Sequence, residues 1–532
     1  MKKFFLLTIF MMGIAAVNAQ PIYNADGILL KHTMTAEEAE LYRSVDVHTT
    51  PTAAPDGTIR PVAEYEPCEA VMVRYPFGIP FNLIREMAED TKVITLVANN
   101  AERQTVINQY VAHDIDTSHC QYLIKTTDSY WTRDYGPWFI AIDNAEIAMY
   151  DFTYNRPRYN DNAVNTALAN FLDIDRYASN MQLTGGNYMN DGTSQAASTT
   201  LTYQENQNFT QQQIHQHFQD YLGITNYHFL DDPQDDYIAH IDCWAKFLGP
   251  DKVMVAQVPQ SDPRYSQYED VANYLGNITS AYGTPMRVYR VYMPGNDYNP
   301  TPYTNSLILN KKVFVPLSGS QYDDEAITAY QQAMPGYEVF GINYNSWENT
   351  DALHCRTHEI ADREMLYIKH QPLFGEIDND GAISFTAEIH SYGQHDIIAD
   401  SVRVFIKSDD DQVYTPHVMT NNGNNIWSVD IAGLPADTIE YYIAASDVSG
   451  RTEYHPYIGG FDPHVFVYAG SSSVLGDVNG DGDVNVGDVA ILVNHVVGID
   501  TPEFVPENAD INGDGIFNIV DIIMLVNMII NK

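Results

Sequence analysis

Between residues 47 and 373, short β-rich runs alternate with helical stretches. Ala70-Val71-Met72-Val73 and Val93-Ile94-Thr95-Leu96-Val97 are apolar runs of strand length, and Phe81 to Glu89 and Ala101 to Val111 read as helices. This alternation predicts an α/β domain over 47–373. From 375 to 469 the pattern changes. Ile383, Phe385, Ala387 and Ile389 alternate with polar neighbours, and similar strands are predicted at Val402 to Ile406, Trp427 to Ile431, Tyr441 to Ala444 and Val465 to Tyr468. Short strands separated by Asn-Gly, Leu-Pro and Ser-Gly turns predict an immunoglobulin-like β-sandwich. A Gly-Ser linker covers 470–475, and a tail with an internal repeat covers 476–532.

The N-terminus has Lys2-Lys3, an apolar run from Phe4 to Val17 and the small-residue site Val17-Asn18-Ala19, which predicts a signal peptide over 1–19 and an exported, secreted or surface-held protein. No later stretch approaches the roughly 20 apolar residues of a membrane span. With 28 Lys+Arg against 70 Asp+Glu, the formal net charge of -42 argues against nucleic acid and anionic membranes as partners. The four cysteines, Cys68, Cys120, Cys243 and Cys355, are too few for a disulfide-built scaffold; one disulfide or free thiols are both open.

In the tail, Asp477, Asn479, Asp481, Asn485 and Asp488 occupy positions 1, 3, 5, 9 and 12 of a loop, with Gly482 at position 6 and Asp483 at position 7. Asp510, Asn512, Asp514, Asn518 and Asp521 repeat the set, with Gly515 and Ile516. Alternate oxygen ligands wrap a hard cation and the glycine allows the sharp turn, so two structural calcium ions are expected. An apolar helix follows each loop, at Val489 to Val497 and Ile522 to Ile530, and none of EF-hand character precedes it. The half-EF-hand duplication resembles a type I dockerin, which implies a cohesin as a possible partner; a calcium-stiffened module without a partner is the alternative.

Four motifs stand apart in the α/β region: Trp131-Thr132-Arg133-Asp134-Tyr135-Gly136-Pro137, Leu183-Thr184-Gly185-Gly186-Asn187, His240-Ile241-Asp242 and Leu353-His354-Cys355. Singly each is weak, since a lone His-x-Asp or His-Cys is more often structural. Together and in this order they resemble the agmatine deiminase superfamily, and within it the bacterial-type peptidylarginine deiminases, over Pro61 to Lys369. The resemblance implies a five-bladed α/β-propeller with Asp134, Gly186, His240, Asp242 and Cys355 in one site. Tyr303-Thr304-Asn305-Ser306 resembles the family's Asn-bearing strand, which adds Asn305. Agmatine deiminases usually carry a glycine-rich run before the cysteine; Thr350-Asp351-Ala352-Leu353-His354 stands here instead, which counts against agmatine as substrate.

A guanidinium is a planar cation with five donors, which two carboxylates hold through charge-assisted hydrogen bonds. Asp134 and Asp242 are the candidates. Cys355 is the expected nucleophile, aided by a protonated His240 that then serves as acid and base, with no cofactor for catalysis. Trp131 and Tyr237 are expected to wall the arginine stem, with Ile238 and Thr350 beside it. The resemblance implies that Arg156 and Arg158 bind the α-carboxylate of a C-terminal arginine; a solvated loop pair is the alternative. Arginine-containing peptides are thus the expected substrates. Deimination of agmatine or free arginine, or an inactive surface adhesin, are the competing readings. A papain-like protease places its cysteine early and its histidine late, opposite to the order here.

Overall fold

The computed structural model describes residues 22–23, 29–44, 49–296, 298–377, 381–409, 411–435, 437–469 and 475–531. The expected signal peptide and most of the expected linker lie outside them. One unit recurs through the α/β region: an antiparallel hairpin, one or two helices, and a strand that returns parallel to the second strand of the hairpin. Ala245–Gly249 and Lys252–Gln257 form such a hairpin, and helix Tyr265–Gly276 leads to Arg287–Tyr292. Leu307–Leu309, Lys312–Leu317, helix Asp323–Ala333 and Glu338–Asn343 repeat it. So do Met189–Asn190, Gln195–Thr199 and Asn226–Leu230, with helices Leu201–Glu205 and Gln211–Leu222 between the last two strands. A fourth sheet adds Ile59–Pro61 to Trp138–Ile142, Glu146–Tyr154 and Arg176–Leu183.

The fifth sheet joins the two ends of the region. Cys68–Arg74, Lys92–Val97 and Cys120–Ile124 run parallel, and His358–Ala361 returns antiparallel to Cys68–Arg74. The second strand of each unit is buried along almost its whole length, as in Lys312–Leu317 and Gln195–Thr199, which explains why these segments read as continuous apolar runs. Helix Phe81–Ala88 buries Leu83, Ile84, Met87 and Ala88 on one stripe. Helix Gln211–Leu222 starts at a Thr210/Gln213 capping box and stops at Gly223, where φ is +69°. A Cβ at Gly223 would lie 1.9 Å from the Ile59 carbonyl oxygen, so both the backbone twist and the close approach require glycine.

Two further sheets share a core that includes Phe385, Trp427, Ile443 and Phe466. Ile383–Ser391 buries alternate residues, as its pattern predicted. One boundary differs from the sequence reading, which kept everything up to 373 in the α/β region. Strand Leu366–Lys369 pairs with Ile383–Ser391, because Leu366 and Ile368 are buried in this second core. The two regions touch closely here: the Arg60 guanidinium lies 4.0 Å from the Tyr367 ring centroid and 3.2 Å from the Tyr392 hydroxyl. In the tail, helices Val486–Val496 and Ile519–Ile530 pack around Val478, Leu492, Ile511 and Leu525. Asn485/Asp488 and Asn518/Asp521 form capping boxes at the starts of these helices. Among the described residues no helix is long and apolar enough to cross a membrane, and all four cysteines are free thiols.

Candidate active site

The predicted catalytic residues and Gly186 occupy five short turns, and each turn precedes the first strand of one unit or the strand that closes the fifth sheet. Asp134 lies in the helical turn Thr132–Tyr135 ahead of Trp138–Ile142, and Gly186 in the turn Gly185–Asn187 ahead of Met189–Asn190. Asp242 lies in Ile241–Cys243 ahead of Ala245–Gly249, with His240 capping that turn. Asn305 is in the turn before Leu307–Leu309, and Cys355 in His354–Arg356 before His358–Ala361. Local chemistry sets these turns. Asp236 Oδ1 accepts hydrogen bonds from the Ile238 and Ala239 amides, and Ala239 at φ +50° turns the chain so that His240 enters the interior.

The turns converge. Asn305 donates to Cys355 Sγ at 3.2 Å and accepts from the His354 amide at 3.0 Å. Cys355 Sγ is 3.9 Å from Asp242 Oδ2, and His240 Nδ1 is 3.8 Å from Asp134 Oδ1. Gly186 faces three of them: a Cβ there would meet His240 Nδ1 at 2.5 Å and the Asp134 and Asp242 carboxylates at 3.2 Å. Among the described residues, Asp134 Oδ1 and both His240 ring nitrogens are buried without a hydrogen-bond partner, as expected of groups that await a ligand. Cys355, His240, Asp134, Asp242 and Asn305 are all buried.

Burial dominates the electrostatics. It pushes His240 down to about 4, although Asp134 and Asp242 pull the other way, so the imidazole is neutral and not protonated as the sequence reading expected. It also pushes the Cys355 thiol up, and Asp242, Asp351 and Asp134 add to the rise. Burial opposes ionisation of Asp242, but the hydrogen bond and charge of His354 outweigh it and hold this carboxyl below the usual range. His354 Nδ1 lies 2.6 Å from Asp242 Oδ2, and its Nε2 lies 2.9 Å from Glu64, which Lys246 meets at 2.7 Å.

Arg156 and Arg158 are buried, so the solvated-pair reading does not hold. Arg158 lies 4.9 Å from the Trp131 ring centroid, and Arg156 Nε is unpartnered. Tyr237 is 58 % exposed, its hydroxyl 3.2 Å from Thr350 Oγ1, while Ile238 is buried beneath it. Sequence reasoning missed Glu64, Lys246 and two residues of the N-terminal segment. His32 Nε2 is 2.7 Å from Asp134 Oδ2, and Glu38 Oε1 accepts from Arg158 Nε at 2.8 Å. The signal available was Thr35-x-x-Glu38, a capping box that starts helix Ala36–Ser44. His32, Asp134 and His240, or His32, Asp351 and Cys355, lie close enough to share a metal ion, but His32 already contacts Asp134 directly. A cavity of about 940 Å³ lies at the junction with the second core, and none of the converging residues lines it.

Residues 475–530 match the dockerin type I domain model. A Yersinia pseudotuberculosis protein that bears the provisional name agmatine deiminase is 27% identical over 273 residues, 44% of this chain and 75% of the relative. The fold is similar to that of Enterococcus faecalis agmatine deiminase, with TM-score 0.52 and 22% identity over 59% of this chain and 100% of the other. It is also similar to a Porphyromonas gingivalis protein provisionally named arginine deiminase, with TM-score 0.51 and 19% identity over 57% and 98%. The Porphyromonas-type peptidyl-arginine deiminase model matches residues 62–360, more than half of the 532, and the chain belongs to that family.

Proposed function

We propose that this protein hydrolyses the guanidinium of peptidyl arginine, preferably at a peptide C-terminus, to citrulline and ammonia through a covalent adduct on Cys355. The observation that carries the reading is the seat at Gly186, where two carboxylates and a histidine converge, one of those carboxylates 3.9 Å from the Cys355 sulfur, and no side chain grows from Gly186 to fill the space. Asp134 and Asp242 hold the guanidinium nitrogens, with the carbon facing Cys355 Sγ. A thiolate 3.9 Å from the Asp242 carboxylate costs about 4 kcal/mol at an effective dielectric of about 20. Burial and this repulsion both push the thiol up, so it stays protonated until the substrate's cation offsets the carboxylates.

With the substrate bound, neutral His240 takes the thiol proton, the thiolate adds to the guanidinium carbon, and His240 passes that same proton to the departing nitrogen, which leaves as ammonia. A thiouronium remains on Cys355. His240 next takes a proton from water and the hydroxide adds to the same carbon; the carbon–sulfur bond then breaks as the new hydroxyl loses its proton to solvent, releasing citrulline, and His240 returns its proton to the thiolate. Asn305 positions the sulfur. The buried pair Arg156 and Arg158 supports the preference for a terminal carboxylate, because Arg158 already holds one, that of Glu38, in its fork. Agmatine, the substrate named for several relatives, lacks that group and is the comparison.

The wider architecture is part of this reading. The five sheets form the blades of a propeller that the return of His358–Ala361 closes, and the second core is an immunoglobulin-like sandwich that begins near Leu366. The tail is a calcium-bound dockerin whose expected partner is a cohesin outside the cell. Its residues fit calcium: Asp477, Asp488 and Asp521 are buried carboxylates, and among the described residues no cationic side chain pairs with them. Asp477, Asn479, Asp481, Asn485 and Asp488 would hold one ion with the Asp483 carbonyl, and Asp510, Asn512, Asp514, Asn518 and Asp521 a second with that of Ile516. Bound calcium would supply charge neutralisation only. Citrulline release from a peptide ending in arginine tests the reading, with Cys355→Ala expected to show none; an active Cys355→Ala chain would sink the mechanism.

A further inference from the structure

The N-terminal segment Leu29–Ser44 crosses the mouth of the site. Leu30 packs against Trp131 and Cys355. His32 is 5% exposed and stacks on Trp131, with ring centroids 5.0 Å apart and planes 16° from parallel. Its ring edge meets His240 at 5.4 Å. Nε2 reaches Asp134 Oδ2 at 2.7 Å, and Nδ1 reaches the Thr350 carbonyl at 2.8 Å. Further along, Thr35 and Glu38 cap the helix and fix the Glu38 carboxylate, whose two oxygens lie 2.8 and 3.4 Å from Arg158. The Lys31 carbonyl takes a further hydrogen bond from Arg158 at 2.5 Å.

These contacts copy both ends of an arginine residue. An imidazolium is, like a guanidinium, a flat delocalised cation with donors in its plane, and it lies on a carboxylate. Glu38 supplies a carboxylate to the buried arginine that would meet a terminal one. The copy is also unreactive, because both nitrogens of the imidazolium amidine unit belong to the ring: attack at its carbon has no free amine to expel. With the segment in place Cys355 has 0% and His240 1% exposure.

We propose that residues 29–44 are an intramolecular pseudosubstrate that shuts the site, so that the full chain is latent until this strap leaves or is displaced. The proposal rests on the arginine-site reading above.

The test compares the full-length chain with full-length His32→Ala and the double variant His32→Ala/Glu38→Gln. Iodoacetamide alkylation is followed by mass spectrometry on the peptide that carries Cys355, since Cys120 is part-exposed. Alkylation of Cys355 in the double variant is expected to be at least about tenfold faster, the loss of one charge-assisted hydrogen bond or more. The efficiency on a peptide ending in arginine should rise in step. A synthetic peptide of residues 29–44 at millimolar concentration, near the effective concentration of a tethered segment, should restore protection, and the same peptide with alanine for His32 should not. Restored protection also shows that the variant is folded. Equal alkylation rates in all three chains, or no protection by the peptide, overturn the strap. Fast alkylation with no citrulline from any guanidino substrate keeps the strap and removes the arginine-deiminase reading instead.

Discussion

Specificity for a terminal carboxylate gives the sharpest quantitative expectation. With the strap substituted as above, Arg158 loses Glu38, and its fork is free for a substrate carboxylate. Arg158 is buried, so a carboxylate there is little screened by water; its present bonds to Glu38 at 2.8 and 3.4 Å show the fork engaged by such a group. A hydrogen bond to a charged group contributes about 1.5–3 kcal/mol, which converts to a factor of roughly 10 to 100 in kcat/KM. The assay measures citrulline from a peptide ending in arginine and from its C-terminal amide. The acid should be favoured by that factor, and Arg158→Ala should bring the ratio close to one. Arg158→Lys should keep part of it, because a point charge replaces the bidentate fork. Arg156→Ala, which removes the neighbouring buried cation, should act in the same direction. Equal efficiencies on acid and amide in the chain with both arginines intact would refute the clamp.

In the strap-substituted chain, Gly186→Ala should leave the melting temperature within a few degrees while removing activity by at least about a hundredfold, since the new methyl group would lie 2.5 Å from His240 Nδ1 in the substrate's place; substantial activity in this variant would mean that the guanidinium sits elsewhere. Chelation should melt the tail helices Val486–Val496 and Ile519–Ile530, read as lost helical circular dichroism, and leave citrulline formation unchanged. Activity that falls with chelation and returns with calcium would point to an ion in catalysis.

The clustering of the candidate residues was legible in the sequence where residue type and motif order carried it: Asp134, His240, Asp242 and Cys355 do meet, and Asn305 touches the sulfur. Strand and helix positions followed from apolar periodicity, because the buried second strands have no polar face to interrupt them. Periodicity says which face of a strand is buried but not against which sheet, and so Leu366–Lys369 was assigned to the wrong region. The charge state of His240 depends on how many atoms surround it, which a motif does not encode. His32 and Glu38 left no trace beyond a helix cap, since their partners Asp134 and Arg158 lie 102 and 120 residues away and pairing at that range has no local pattern.

The placement of the site residues on one turn per sheet also orders their appearance as the chain is made. Asp134 and Gly186 emerge early from the chain, His240 and Asp242 later, and the sulfur last, on the turn before His358–Ala361. That strand finds its partner in Cys68–Arg74, which is synthesised before any of them. A contact between chain segments so far apart pays its loop-closure entropy only when the intervening sheets have already packed. In the mechanism proposed above, any chain cut short before Cys355 would hold the cradle for a cation but no nucleophile, so chemical competence would arrive with the final closure of the domain and not by degrees.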